Sequence, residues 1–237
     1  MSYKFLIIGG LHGNEPLGLN LVQAIEALKI PNIQAIYGNP EAIQKNVRFV
    51  NQDLNRVFPG NNVGDIEEKR AFELMRLCEN YDFVLDFHNT HCPENDCGFV
   101  GGEKYLDSLQ LASFLGLDKV IVADYDCVNK YVKNCLSVEI SLVSEKNNVQ
   151  FWVDKILNLV QFEINQSLKV PDLFEFKLRV SRSEQNIFNF TNWKAFEPIS
   201  QVDVDLLGLD LSKQYFPIFV DDKYTSSYNF AGLVGRK

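Results

Sequence analysis

Phe5-Leu6-Ile7-Ile8, followed by Gly9-Gly10-Leu11-His12-Gly13-Asn14-Glu15, decides how the chain is read. An apolar run, a glycine-rich turn and an amphipathic run from Leu17 to Leu28 give strand, tight turn and helix in that order. The glycines permit the backbone angles of a sharp turn. His12 and Glu15 then stand at the end of a strand, where open α/β sheets bind ligands. An imidazole and a carboxylate three residues apart on one turn can grip a single metal ion. Two His with one Glu form a catalytic zinc set whose fourth position is open to water. The second His has to come from elsewhere in the chain.

Working outward, residues 33–37 read as a second strand, which closes a strand-helix-strand unit and predicts a parallel sheet. Gly38-Asn39-Pro40 is a turn signal. Residues 41–45 suit a short helix, and 48–56 are irregular and polar. Residues 65–80 predict a helix, with apolar Phe72, Met75 and Leu77 and no internal Gly or Pro. Phe83-Val84-Leu85 is a buried strand running into Asp86-Phe87-His88-Asn89-Thr90. A polar loop over 91–96 precedes a strand start at Phe99-Val100, and a helix over 105–115 is stopped by Gly116. Residues 120–123 read as a strand, 124–134 as a polar loop, and 136–140 as a strand carrying Glu139 near its end. Residues 149–168 read as one long amphipathic helix. After Pro171, the alternation over 174–180 marks a half-buried antiparallel strand. Apolar runs follow at 187–190, 202–207 and 216–220. The expectation is an α/β fold over 1–170, a mixed, largely parallel sheet flanked by helices. A small β-rich domain over 171–237 is expected to close the substrate pocket.

Composition bounds the function. The chain is 46% hydrophobic and 23% charged, an ordinary globular balance. Its net charge of -8 argues against a nucleic-acid binder. No stretch approaches the roughly 18 apolar residues of a membrane span. The first apolar run is shorter than the about 7–15 residues of a signal-peptide core, so a cytoplasmic location is expected. The 5 cysteines are odd in number and lack C-x-x-C spacing, which suits free thiols in a reducing compartment. Cys92 and Cys97 flank a polar loop but are spaced too widely for a usual zinc pair.

Only 3 histidines are present: His12, His88 and His91. Taken alone, His12 could cap a turn and His88 could be a hydrogen-bonded core residue. Taken together, two histidines follow strands of separate α/β units, and the ends of parallel strands converge on one sheet edge. His12, Glu15 and His88 can therefore meet. His91 is read as a loop-surface residue, because Glu15 already completes the set. Metal-bound histidines usually donate their outer N–H to a carboxylate or carbonyl, a part open to Asp86 or Asp53.

One further series of motifs falls in a fixed order. It comprises His12-Gly13-Asn14-Glu15, Asn39-Pro40-Glu41-Ala42, Arg48, Asp53-Leu54-Asn55-Arg56 with Phe58, Asp86-Phe87-His88-Asn89-Thr90 and Val138-Glu139. The series resembles the aspartoacylase and succinylglutamate desuccinylase family, relatives of the zinc carboxypeptidases. Asn192-Trp193-Lys194 and the run Phe216-Pro217-Ile218-Phe219-Val220-Asp221-Asp222-Lys223-Tyr224 are similar to that family's C-terminal β domain.

The resemblance implies a zinc carboxypeptidase-like fold with one Zn2+ per chain, held by His12, Glu15 and His88. It implies Glu139 as the catalytic carboxylate and Arg48 beside the scissile carbonyl. Asn55 and Arg56 would clamp a substrate carboxylate, with Tyr125 and Tyr224 reaching the pocket. Asp53 is read as a brace for an arginine. The family's aspartoacylase branch has a loop arginine where this chain has Asn129; Lys130 or Lys133 are the candidate substitutes. The implied activity is hydrolysis of an N-acyl amino acid, expected to be acidic (N-acetylaspartate- or N-succinylglutamate-like). Two alternatives stay open: a carboxypeptidase-like hydrolase of a peptide or other amide, and a catalytically silent binding relative. A small-molecule substrate is the expected partner, without nucleic acid or membrane. A homodimer rests on the resemblance alone. A two-His, one-carboxylate set also suits other divalent metals.

Overall fold

The computed structural model describes residues 3–101, 105–124, 126–165, 168–188, 190, 192–222 and 229–237. The leading strand is β1 (Phe5–Gly9), followed by α1 (Pro16–Leu28), β2 (Ile33–Tyr37) and α2 (Pro40–Lys45). A single 3-10 turn, Leu54–Arg56, precedes α3 (Ile66–Cys78) and β3 (Phe83–Thr90). Next come β4 (Cys97–Val100), α4 (Leu106–Leu115), β5 (Lys119–Val122), α5 (Val128–Tyr131), β6 (Cys135–Ser141) and α6 (Val149–Leu157). The remainder holds β7 (Asp172–Ser181), α7 (Arg182–Phe188), α8 (Gln201–Leu206), β8 (Tyr215–Ile218) and β9 (Asn229–Arg236).

The strands form one nine-stranded mixed sheet in the order β2-β1-β3-β6-β4-β5-β7-β9-β8. β1 pairs in parallel with β2 and β3, and β3 in parallel with β6. Alternate residues of β1 enter two different cores. Phe5 and Ile7 pack among Leu21 and Ile25 of α1, while Leu6 and Ile8 pack with Ala71 and Leu74 of α3. Burial on both faces is why the first strand is continuously apolar. The α1 backbone lies close on β1: a Cβ on Gly9 would come within 2.0 Å of the Gly18 carbonyl oxygen.

Four expectations change. The segment after residue 170 does not form a sheet of its own. β7 lies parallel to β5 and antiparallel to β9, so the one sheet continues. The long helix ends at Leu157 with one more 3-10 turn, because Phe162 turns inward. Its ring meets Phe83 edge-on at 5.2 Å and Phe114 at 5.3 Å. The runs at 187–190 and 202–207 meet helices rather than strands: Ile187 and Phe188 end α7, and 202–206 lie in α8. Ser181 and Glu184 reciprocally cap α7, and the Ser200 side chain caps α8. Residues 124–134 contain the short helix α5, whose first N–H, on Val128, donates to Asn55 Oδ1 at 3.0 Å. That cap comes from 73 residues away and leaves no local signal. Among the described residues, no helix is long and apolar enough to cross a membrane.

Candidate active site

The sheet register assembles the site. His88 on β3 is the direct partner of Glu139 on β6, and Asp86 is the partner of Ser137. Partners across parallel strands share a face about 4.8 Å apart. His12 and Glu15 arrive on the turn between β1 and α1. Pro16 occupies the first helical turn, and the Leu17 N–H donates to Asn89 Oδ1 of β3 at 2.9 Å. This contact holds the turn against the neighbouring strand. Gly13 has no room for a side chain, since a Cβ there would lie 2.2 Å from the Ala42 backbone.

His12, Glu15 and His88 are all buried and offer ligand atoms within 4.8 Å of one another. Glu15 Oε1 lies 2.7 Å from His12 Nδ1, and Oε2 lies 2.8 Å from His88 Nδ1. The two Nδ1 atoms are 3.1 Å apart. Each outer ring nitrogen meets a carboxylate: His12 Nε2 to Asp53 Oδ1 at 3.0 Å, and His88 Nε2 to Asp86 Oδ2 at 2.7 Å. A neutral imidazole that donates from Nε2 has only a lone pair at Nδ1. Two lone pairs and a carboxylate therefore converge on one point, an arrangement that only a cation or extra protons make attractive. Bonds of 2.0–2.1 Å in a tetrahedral zinc site put ligand nitrogens about 3.3 Å apart, close to the observed spacing. The donor set fits a metal ion.

The protein's own charges report the same focus. Burial alone would raise Glu15, but the His12 and His88 rings hold its carboxyl well below the usual carboxylate range. Burial likewise opposes charge on His88, yet Asp86 and Glu15 raise it well above an ordinary histidine. Asp53 is held well below the usual range by His12 and Arg48 against its own burial. Glu139 is half-buried; desolvation is the largest influence and pushes its carboxyl up to about 8.

Glu139, Arg48, Asn55 and Arg56 line one small cleft with His12 and His88. The cleft encloses about 480 Å³ counting its open mouth. Arg48 donates to Glu15 Oε1 at 3.2 Å and to Asp53 Oδ2 at 3.1 Å, which braces the turn that carries the ligands. Asn55 lines the cleft, but its Oδ1 is committed to Val128. Arg56 is exposed at the mouth, with one guanidinium nitrogen donating to the Asn55 carbonyl at 2.6 Å. Asp86 is fully buried rather than turned to solvent. Lys130 pairs with Asp124 and Asp126, whereas Asn129 is the member of that loop that lines the cleft. His91 is exposed and stands outside the cluster. Tyr125 and Tyr224 lie outside the described residues.

Several contributors escaped the sequence reading. Glu67 is wholly buried and accepts from Asn39 Nδ2, Val50 N and Asn51 N, fixing the loop that bears Arg48. Ser137 donates to Asp86 Oδ2 at 3.1 Å and lines the cleft. Its place two residues before Glu139 is the signal that could have found it. Phe99, Phe219 and Cys127 complete the wall. Buried Asp222, from the chain's last quarter, bonds Thr90 at the end of β3.

Comparison with known proteins adds to the geometry. The sequence profile of the "Succinylglutamate desuccinylase/Aspartoacylase catalytic domain" matches residues 2–131. A probable aspartoacylase of Acaryochloris marina is 37% identical over 102 residues, covering 37% of this chain and 35% of the relative. The N-acyl-aromatic-L-amino acid amidohydrolase (carboxylate-forming) of Rattus norvegicus is 34% identical over 113 residues, covering 40% of this chain and 35% of the relative. The match thus spans about a third of the length of these curated relatives. In shape, the chain is similar to the succinylglutamate desuccinylase of Chromobacterium violaceum, with a TM-score of 0.72 at 15% identity, covering 100% of this chain and 85% of that one. It is similar also to murine aminoacylase 3, with a TM-score of 0.70 at 19% identity, covering 100% and 96%. These two likenesses concern the fold.

Proposed function

Because the chain belongs to the succinylglutamate desuccinylase/aspartoacylase family, we propose that it is a zinc-dependent amidohydrolase that splits an N-acyl amino acid into a carboxylic acid and a free amino acid. The observation that carries this reading is the His12–Glu15–His88 donor set, whose two histidines line one cleft with Glu139. Zinc held by those three residues would supply Lewis acidity, making water a better nucleophile and polarising the scissile carbonyl.

The chain's own residues do the rest. Asp53 and Asp86 hold the two imidazoles by their outer nitrogens and keep the inner ones as lone-pair donors. Glu139 stands one strand from His88, where it takes the proton of the attacking water and returns one to the departing amine. A carboxyl displaced upward to about 8 can gain and lose that proton near neutral pH. Arg48 pairs with Glu15 at 3.2 Å and places positive charge beside the carbonyl. Arg56, at the mouth, offers a planar fork suited to the carboxylate that every N-acyl amino acid carries. The acidic side chain suggested by the resemblance would require a second cation. Among the described lining residues the cations are Arg48, engaged by two carboxylates, and Arg56.

The test is amine release by zinc-loaded protein from N-acetyl, N-succinyl and N-benzoyl amino acids, beside Glu139→Gln. We expect release from at least one member and a loss of about 10²- to 10⁴-fold in the variant. Equal rates in both proteins would remove Glu139 from the chemistry. No release, with one zinc bound per chain, would turn attention to peptides.

A further inference from the structure

Trp193 and Lys194 belong to the Asn192-Trp193-Lys194 motif, yet neither lines the catalytic cleft. They line a second cavity with Ala195, Val220 and the 92–94 segment, and it encloses about 520 Å³ counting its open mouth. Left-handed backbone gathers around this cavity. Glu94, Asn192, Phe196, Phe219 and Asp221, with φ from 52° to 62°, stand in or beside its lining. Left-handed Lys29 and Asn46, by contrast, simply end helices. Such a conformation is an outlier for a bulky residue, persists only where the surroundings impose it and concentrates at working sites. The Trp193 ring is fixed: its indole N–H donates to Asp203 Oδ2 at 3.0 Å, and Phe190 stacks on it with centroids 4.7 Å apart. Burial pushes the Cys92 thiol up to about 12, so that wall is uncharged. The described charges of the lining are one acid, Glu94, and one base, Lys194, both exposed and carried by different segments. Lys194 also meets Glu197 at 3.3 Å, a solvent-exposed pair too weak to withhold the ammonium from a ligand. Neighbouring Asp221 is engaged by Arg182 at 2.7 Å. Two walls run on into the catalytic cleft. The Cys92 N–H donates to Thr90 Oγ1 at 3.0 Å, two residues after His88, and Val220 follows Phe219 of the cleft lining.

We propose that this cavity is a second binding site, for a free apolar amino acid whose side chain rests on Trp193, Ala195 and Val220, whose ammonium faces Glu94 and whose carboxylate faces Lys194. One acid and one base at the rim of an apolar hole match a zwitterion. A fatty acid or an alkylamine would leave one of the two charges without its counterpart. The binding site stands on the cavity alone. Its regulatory use, in which the class of product a deacylase releases adjusts the cleft through Thr90 and Phe219, rests on the deacylase reading.

The experiment titrates leucine, aspartate, 4-methylpentanoate (leucine without its ammonium) and 3-methylbutylamine (leucine without its carboxylate) into the zinc-loaded protein by calorimetry. It is repeated with Glu94→Gln, Lys194→Gln and Arg56→Ala. Leucine is expected to bind about fivefold tighter than aspartate or either analogue. Its advantage over 3-methylbutylamine should vanish in Lys194→Gln, and that over 4-methylpentanoate in Glu94→Gln. Arg56→Ala, at the mouth of the catalytic cleft, should leave both advantages in place. No leucine binding, advantages unmoved by the two charge variants, or loss of all leucine binding in Arg56→Ala overturns the site. A dimer in sedimentation that Lys194→Gln disperses would seat a second copy there and overturns it too. For whichever N-acyl amino acid is turned over, saturating leucine should shift KM about fivefold in the wild type and not in Lys194→Gln. An equal shift in both proteins, or none, overturns the link to the cleft. Leucine binding with these signatures but no turnover of any N-acyl amino acid keeps the site and sinks the deacylase reading, whereas turnover without leucine binding does the reverse.

Discussion

At the scale of single residues, the centre is defined by one carboxylate between two rings: Glu15 sets Oε1 2.7 Å from His12 Nδ1 and Oε2 2.8 Å from His88 Nδ1. Asp86 takes the outer proton of His88, and the bond it uses is short and fully buried. Asp86→Asn keeps the shape but replaces a charged acceptor with an amide. We expect zinc affinity to fall about 10- to 100-fold, measured by competition with a coloured chelator. Unchanged affinity would show that Asp86 serves packing only. That His12, Glu15 and His88 can meet was legible in the sequence, because three histidines in a whole chain leave few combinations and two of them follow strand-like runs. Phe219 was not legible as a wall residue, since an aromatic in an apolar run reads as core. Its position depends on Asn95, 124 residues away.

At the scale of elements, α3 does more than cover the sheet. Asp65 and Glu68 form a capping box that fixes where the helix starts, and Glu67 in the same turn is thereby aimed at the Arg48 loop. Glu67→Ala leaves two backbone N–H groups and the Asn39 amide without their acceptor. A destabilisation of roughly 2–3 kcal/mol is expected in urea unfolding. Activity should drop with zinc binding kept, because Arg48 shifts while His12 and His88 stay on their own elements. A wild-type unfolding midpoint in this variant would sink the bracing role. Strong local signals made the early strands and helices readable: a continuous apolar strand, a glycine-rich turn, a glycine at a helix end. The errors came where the deciding contact is distant or the pattern ambiguous. Val202, Val204 and Leu206 alternate with acids as a strand would, yet Ser200 caps a helix there and only Val204 of them is buried.

At the scale of the molecule, the candidate metal donors tie the end of β1 to β3, and Asp222 ties the last quarter of the chain to Thr90 on that same strand. Zinc should therefore stabilise the fold as a whole. At a free concentration about 100 times its Kd, it contributes about 2.7 kcal/mol, a rise of about 5–10 °C in Tm over chelator-treated protein. A melting curve indifferent to zinc, and to other divalent ions, would argue against a metal centre. One sheet runs through both parts of the chain, which the change of texture after residue 170 concealed. β7 alternates like an edge strand because one of its faces is only partly covered, although it has a partner on each side.

The pairing of His88 with Glu139 has a consequence for how such a protein can change over time. The interval between the proposed metal ligand and the proposed base is written in backbone hydrogen bonds, which do not depend on side-chain identity. Residues 99, 129 and 219 can therefore vary without disturbing that interval. A lineage, or a designer, could trade one substrate for another by editing those few positions while inheriting the reaction intact.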